Sequence, residues 1–125
     1  MKPAFQLWLT IGLIVAVSSL AGVTQEPGKQ VYDQTCAVCH GADASGAMPG
    51  VPDLTEGQGA LTKPDAELLR SLVRGVQSPG AALAMPPRGG NPALTENDLR
   101  ATLDYLRRIT GIRTNEPNSI GETKK

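Results

Sequence analysis

The hydrophobic residues of this 125-residue chain recur at helical spacing in three stretches, about 27–39, 64–76 and 95–109. Within each stretch they return every three or four positions, which places them on one face of a helix. Two segments rich in glycine and proline, 41–63 and 78–94, separate the stretches, and no convincing alternation of apolar and polar residues indicates a strand. The pattern therefore predicts an all-α domain with three main helices and two long loops.

The third stretch carries the clearest boundary signals. Thr95, followed three residues later by Asp98, resembles a capping box with Asp in place of the usual Glu. Gly111 comes just after the last apolar position, where glycine commonly ends a helix. In the second stretch Pro64 suits a first helical turn, because that turn does not need the missing N–H. We therefore expect helices to begin near Pro64 and Thr95, and the last one to end at Gly111.

The N-terminal segment differs from the rest of the chain, because a dense apolar run, Leu7–Val17, lies within an uncharged stretch. Such a run is typical of a signal peptide, and Ser19-Leu20-Ala21 offers a cleavage site before Gly22. The alternative is an uncleaved membrane anchor, since the whole uncharged stretch could just span a bilayer. Either way we expect export to the periplasm. The expected divisions are a signal peptide or anchor at 1–21, one domain at 22–112 and a polar tail at 113–125.

Composition limits the partners that the chain could have. Lys plus Arg equals Asp plus Glu at 12 each, so the net charge gives no reason to expect nucleic-acid binding. Hydrophobic residues make up 40 % of the chain, enough for a single core, but aromatic residues make up only 3 %. After the N-terminal segment only Tyr32 and Tyr105 remain. We therefore expect a domain whose centre is filled by something besides large side chains.

The chain's two cysteines and its one histidine all lie in Cys36-Ala-Val-Cys39-His40. A structural zinc site would need a fourth ligand, and a thioredoxin-like redox site would need a βαβ pattern, which is absent. A disulfide between the cysteines could form in an exported protein, but it would leave His40 unexplained. The remaining interpretation is covalent attachment of a haem, which the Cys-x-x-Cys-His spacing indicates.

Helical geometry supports the haem interpretation. Cys39 and His40 lie three and four positions after Cys36, so the three side chains point the same way from a helix. Two thiols could form thioethers to the edge of the porphyrin while the imidazole reaches the iron. We therefore predict one haem c, attached through Cys36 and Cys39, with His40 as an axial ligand of the iron.

A second axial ligand would have to be a methionine, because the chain has no second histidine. Met48 is close to His40 in the sequence and would have to double back around the ring edge. Met85 lies in the loop after the second helix, and Pro86 and Pro87 stiffen the backbone directly after it. We predict Met85 as the ligand; the alternatives are Met48, or Met85 as a filler of the core.

From residue 28 to about 109 the sequence resembles the class I c-type cytochromes, monohaem proteins with Cys-x-x-Cys-His near the N-terminus and a methionine ligand downstream. The run MPPRGGNPALTENDLRATLDYL looks most like the short bacterial c-five-like branch. The resemblance implies about three main helices and long loops wrapped around one covalently attached haem. It also implies that Tyr32 and Tyr105 pack together between the first and last helices, and that the Pro52 carbonyl accepts the Nδ1 proton of His40.

The resemblance implies an electron carrier, not an enzyme, that docks transiently at the haem edge with a redox protein donor and acceptor. The membrane would be a partner only if the N-terminal segment is uncleaved. Two alternatives stay open: a haem subunit of a larger membrane oxidoreductase complex, and a haem sensor or peroxidase-like protein with a labile sixth ligand. Arg88 is the best-placed candidate for contact with the haem propionates, and Arg70 and Arg74 are expected on a solvated helix face.

Overall fold

The computed structural model describes residues 25–114, and its regular structure is helical. A π-helical turn joins the first two α-helices, and a 3₁₀ turn precedes each of the last two. In chain order the elements are α1 (Pro27–Val31), the π turn (Tyr32–Cys36), α2 (Ala37–His40), a 3₁₀ turn (Ala60–Thr62), α3 (Asp65–Arg74), a 3₁₀ turn (Pro87–Gly90) and α4 (Glu96–Thr110). Because the only strand-like pairing in the described part is an isolated bridge between Val76 and Met85, the all-α prediction is confirmed.

The first predicted helix forms as one helical segment with an inserted π turn. The Ala37 N–H donates to the carbonyl of Tyr32, five residues earlier instead of four. The extra residue rotates α2 relative to α1, since each residue of an α-helix turns the chain by about 100°. Gly28 and Tyr32 therefore share a buried face, as the periodicity predicts. The residues after the π turn are rotated away from that face.

Helices α1 and α4 cross at close range. A Cβ at residue 28 would lie 2.0 Å from the carbonyl oxygen of Ala101, so only glycine fits there. One turn further on, the rings of Tyr32 and Tyr105 lie 5.5 Å apart between their centroids, tilted by 50°. The expected tyrosine pair between the first and last helices is therefore formed.

Helix α4 has the boundaries that its sequence signals predict. The Asp98 N–H donates to the hydroxyl of Thr95, and the Thr95 N–H donates to the Asp98 carboxylate at 2.8 Å. Gly111 ends the helix in the left-handed conformation, at a φ of 71°. The reciprocal bonds satisfy N–H groups that the first turn would otherwise leave without a partner.

Helix α3 is shorter than the predicted stretch. It begins at Asp65, with Pro64 just before the first turn, and it ends at Arg74. Gly75 stops the helix, because its φ of +79° lies in a region that residues with a Cβ avoid. Val76, predicted on the apolar stripe of this helix, instead lies beyond it and is 40 % exposed.

Arg107 ties α4 to the segment that leads into α3. Its guanidinium donates to the carboxylate of Asp65 and to the backbone carbonyls of Leu61, Lys63 and Ile112. A planar group with five N–H donors suits a site with several acceptors. The Arg107 side chain is only 14 % exposed, whereas the Asp65 carboxylate that it contacts is 48 % exposed.

The buried core is small, and its members come from the π turn, the first long loop, α3 and α4. It consists of Tyr32, Ala44, Leu54, Leu61, Leu68, Leu69, Leu99, Leu103, Tyr105 and Leu106. Within residues 25–114 no helix is both long and apolar enough to cross a membrane. The predicted signal peptide or anchor, 1–21, and most of the predicted polar tail lie outside the described residues.

Candidate functional site

The two cysteines and the histidine lie where the first helical segment ends. Cys36 closes the π turn, and Cys39 and His40 belong to α2. All three are half-buried, whereas Val38, between the cysteines, is 76 % exposed. Both cysteines are free, so the alternative of a disulfide between them is not formed. Two thiols and an imidazole are therefore grouped at one end of the segment.

The chain turns sharply after His40 and folds back over the end of α2. The N–H groups of Gly46 and Ala47 donate to the carbonyls of His40 and Cys39 at 2.8 and 2.9 Å. The hydroxyl of the buried Tyr32 donates to the carbonyl of Gly41, the residue after His40, at 2.7 Å. These bonds satisfy carbonyls that the helix end leaves free, and they fix the backbone that carries the imidazole.

The His40 ring does not make the hydrogen bond that the family resemblance implies. Its Nδ1 is buried and has no hydrogen-bond partner among the described residues, so the expected bond to the Pro52 carbonyl is not formed. That carbonyl lies instead beside Gly46, 3.6 Å from where a Cβ would stand. Burial lowers the pKa of His40 below its ordinary 6.5. The imidazole is therefore neutral at pH 7, which is the form that binds metals.

The Cys36 thiol packs at the margin of the core. Burial raises its pKa to about 11, and the neighbouring Cys39 contributes in the same direction. At neutral pH Cys36 is therefore a protonated thiol in apolar surroundings, and it behaves as a small hydrophobic group until it is bonded to something.

The backbone of Met85 is anchored to the segment that follows α3. Two hydrogen bonds of 2.9 Å join Met85 and Val76 in an antiparallel bridge. The approach depends on Gly75, because a Cβ there would lie 2.6 Å from the Met85 carbonyl oxygen and 2.9 Å from the nitrogen of Pro87. Met85 is half-buried, whereas Met48 is 43 % exposed. Sequence reasoning did not single out Gly75, although a glycine directly after a helix is a detectable signal.

The turn after Met85 packs against the segment that carries the cysteines. A Cβ at Gly89 would lie 2.8 Å from the Cγ2 of Thr35, the residue just before Cys36. Both Arg88 and Gly89 have positive φ values, 54° and 64°, which wind this turn tightly. The structure therefore brings the loop of Met85 to the same side of the molecule as the start of the Cys-x-x-Cys-His motif.

Arg88, the candidate for contact with the propionates, donates instead to the backbone carbonyl of Leu94. It thereby links the turn after Met85 to the residue that precedes the capping box of α4. In this structure its role is to hold the loop.

The residues of the site fit a covalently attached haem. No described group fixes the orientation of the buried His40 ring through Nδ1, and a bond from the other ring nitrogen, Nε2, to a metal would fix it. Cys36 and Cys39, unjoined and close together on one helical segment, could each bond to the porphyrin edge. The donor set of thiols, imidazole and thioether is the one that c-type haem sites use.

Comparisons with known proteins agree with this chemistry. Residues 25–110 match the family model described as Cytochrome c. The chain is 33 % identical over 81 residues to cytochrome c-555 from Prosthecochloris aestuarii, covering 63 % of this chain and 81 % of that protein. It is 31 % identical over 85 residues to the Cbb3-type cytochrome c oxidase subunit CcoP from Rhodobacter capsulatus, covering 67 % of this chain.

The matched region can be a small part of a relative. It covers 29 % of the CcoP subunit. Lupanine 17-hydroxylase (cytochrome c) from a Pseudomonas species is 32 % identical over 82 residues, covering 65 % of this chain and 10 % of the hydroxylase. No solved structure matches this chain.

The family model spans most of the chain and contains both cysteines, His40 and Met85. The cytochrome c-555 relative is matched over most of its own length, and this chain has one Cys-x-x-Cys-His motif. The chain therefore belongs to the cytochrome c family, as a class I monohaem protein with one covalently bound haem c.

Proposed function

We propose that this cytochrome is an exported electron carrier whose haem is attached through Cys36 and Cys39 and whose iron is ligated by His40 and Met85. The haem, when bound, supplies a reversible one-electron change at its iron, and ligation by His and Met favours the reduced state. The protein's own residues supply the attachment, the two axial ligands and an apolar shell.

The anchoring of the Met85 loop is the observation that carries this proposal. The bridge to Val76 holds the loop on the segment after α3, and the contact between Gly89 and Thr35 holds it beside the cysteines. A thioether is a weak ligand, so an iron–sulfur bond needs a loop that keeps the sulfur in place. Met48 lies in the first long loop and is more exposed, which makes it the weaker candidate.

The visible spectrum of the oxidised and reduced protein, with and without carbon monoxide, tests the ligands. The protein is produced in a host that attaches haem, and Met85→Ala is compared with Met48→Ala as the matched control. We expect the unmutated protein and Met48→Ala to be low-spin and unreactive toward carbon monoxide, and Met85→Ala to become high-spin and bind it. If Met48→Ala loses the low-spin spectrum and Met85→Ala keeps it, Met48 is the ligand and the assignment of Met85 is wrong.

Electron exchange would take place at a weakly charged surface near the site. Val38, Met48 and Leu83 are among the exposed large hydrophobic residues, at 76 %, 43 % and 41 %. Exposed apolar groups near a cofactor suit brief contacts of small area with donor and acceptor proteins. We therefore expect the rate of electron transfer with a charged small-molecule reductant to change little with ionic strength, whereas a steep fall would contradict weakly charged docking.

Export follows from the predicted signal peptide at 1–21. N-terminal sequencing of the protein isolated from its native host tests this part of the proposal. A mature chain that begins at Gly22 would support cleavage and a free periplasmic carrier. A chain that retains residues 1–21 and partitions with membranes would favour an anchored protein.

A second candidate function is that of a haem subunit in a larger membrane oxidoreductase complex. The observation that favours it is the similarity to the oxidase subunit CcoP. Chromatography of the detergent-solubilised native protein separates the candidates, because a subunit would elute with a large complex and a free carrier at its own mass. A sensor or peroxidase-like protein is the third candidate, and it would require ready binding of carbon monoxide by the unmutated protein.

A further inference from the structure

A groove between α3 and α4 lies apart from the residues of the haem site. Its volume is about 550 Å³, and its apolar part is formed by Leu69, which is buried, and Val73, which is half-buried. Arg70 and Arg74 project into it from α3, and Arg100 projects from α4. All three arginines are exposed. Three guanidinium groups therefore surround one apolar cleft.

The three groove arginines differ from most other cations among residues 25–114, because no ion pair or hydrogen bond between described residues engages them. Within residues 25–114, ion pairs engage Lys29, Lys63, Arg107 and Arg108, and Arg88 donates to a carbonyl. The groove arginines make neither an ion pair nor a hydrogen bond with any described residue. The acid nearest to Arg70 along α3 is Glu67, and Lys63 already holds it at 2.8 Å.

Positive charge exceeds negative charge in the groove. Arg70 and Arg74 are one helical turn apart, where like charges repel. Glu96 is the single acid that lines the groove against the three arginines. A ligand that brought carboxylates into the groove would relieve the repulsion and would satisfy guanidinium groups, which bind carboxylates in bidentate fashion.

We propose that this groove binds an acidic segment of a partner protein, with carboxylates on the three arginines and an apolar side chain on Leu69 and Val73. A groove of this size holds side chains, whereas a nucleic acid or an anionic membrane needs a broad basic surface. The chain as a whole has equal numbers of acidic and basic residues, so attraction to a polyanion would have to be local. The binding does not depend on which residues ligate the iron.

Binding of a short synthetic oligoglutamate peptide to the haem-loaded protein tests the proposal by calorimetry at low and near-physiological ionic strength. We expect Arg70→Gln, Arg74→Gln and Arg100→Gln each to weaken binding about threefold, and the triple variant about thirtyfold. The affinity should also fall as salt rises. The visible spectrum of each variant should stay unchanged, which separates this proposal from the one about the iron ligands.

Arg113→Gln is the matched control, because it removes one exposed positive charge outside the groove. We expect it to bind the peptide as the unmutated protein does. An equal weakening in Arg113→Gln would overturn the proposal in favour of diffuse attraction to net charge. Equal or tighter binding to inorganic phosphate, or to vesicles that contain phosphatidylglycerol, would also overturn it. So would the absence of measurable peptide binding at low salt.

Discussion

Substitution of Gly28 by alanine tests the close crossing of α1 and α4. The added Cβ would lie 2.0 Å from the Ala101 carbonyl oxygen, 2.5 Å from its carbonyl carbon and 3.1 Å from the Thr102 nitrogen. Real Cβ atoms essentially never approach another heavy atom within 3.0 Å. Because the atoms in the way belong to the backbone of α4, no rotamer change can make room. The two helices would have to separate by about 1 Å at this point.

The change in the free energy of unfolding that Gly28→Ala causes is the sum of two opposing effects. Overpacking of a tight contact costs about 1–3 kcal/mol, and the upper end applies here because a whole helix must move. Alanine is a better helix former than glycine, which returns up to about 1 kcal/mol. We therefore expect Gly28→Ala to lower the free energy of unfolding by about 2 kcal/mol, equivalent to about 10 °C in the midpoint of thermal unfolding for a domain of this size.

Urea unfolding of the haem-loaded protein, followed by the helical circular dichroism signal, measures this loss. Gly57→Ala is the matched control, because nothing lies within 4 Å of the Cβ it would add. We expect the control to be neutral or slightly stabilising. If Gly28→Ala unfolds within about 0.5 kcal/mol of the unmutated protein, the helices do not cross as closely as described.

Three further predictions rest on other contacts. Arg107→Met should destabilise the protein by about 2 kcal/mol in urea unfolding, because it leaves the part-buried carbonyls of Leu61 and Ile112 without this donor; Arg108→Met, which breaks an exposed pair with Glu26, should cost less than about 1 kcal/mol. Gly75→Ala should displace the Met85 loop and increase carbon monoxide binding by the haem, whereas Gly80→Ala, with a similar φ of +75° and open space around it, should not. The Thr95 hydroxyl lowers the pKa of Asp98 below its ordinary 3.8, so the unfolded state takes up this proton more readily. The ionised Asp98 therefore contributes fully to folding stability above about pH 4, and this contribution is lost as pH falls through the lower pKa of the folded state. Thr95→Ala should make the urea midpoint fall less steeply with pH in that range. An unchanged dependence of the midpoint on pH would contradict this origin of the pKa shift.

Local features of the molecule could be predicted from the sequence because their causes lie within one or two helical turns. The capping box of Thr95 and Asp98 and the stop at Gly111 involve residues at most three positions from a helix end. The grouping of Cys36, Cys39 and His40 is local in the same sense, since any helix brings residues three and four apart together. These signals were sufficient to indicate an all-α domain and a candidate haem attachment site.

The pair of Tyr32 and Tyr105 was expected only from the family resemblance, and other contacts between distant parts of the chain could not be predicted, because they depend on where the backbone of one element meets another. The failure of the bond expected from His40 to Pro52 is one example, since the carbonyl lies beside Gly46 instead. The four acceptors of Arg107 are another, because three of them precede it by more than forty residues.

The order of residues along the chain establishes which chemical groups this cytochrome has and which of them lie on one helical turn. The packing of distant segments establishes how the loop of Met85 is held, through Gly75 after α3 and the contact of Gly89 with Thr35. It also brings Arg70 and Arg74 of α3 and Arg100 of α4 together around one groove. The physical reason is that side-chain spacing along a helix is fixed by local hydrogen bonding. The approach of separate segments depends instead on packing at close range, which a single glycine can permit or forbid.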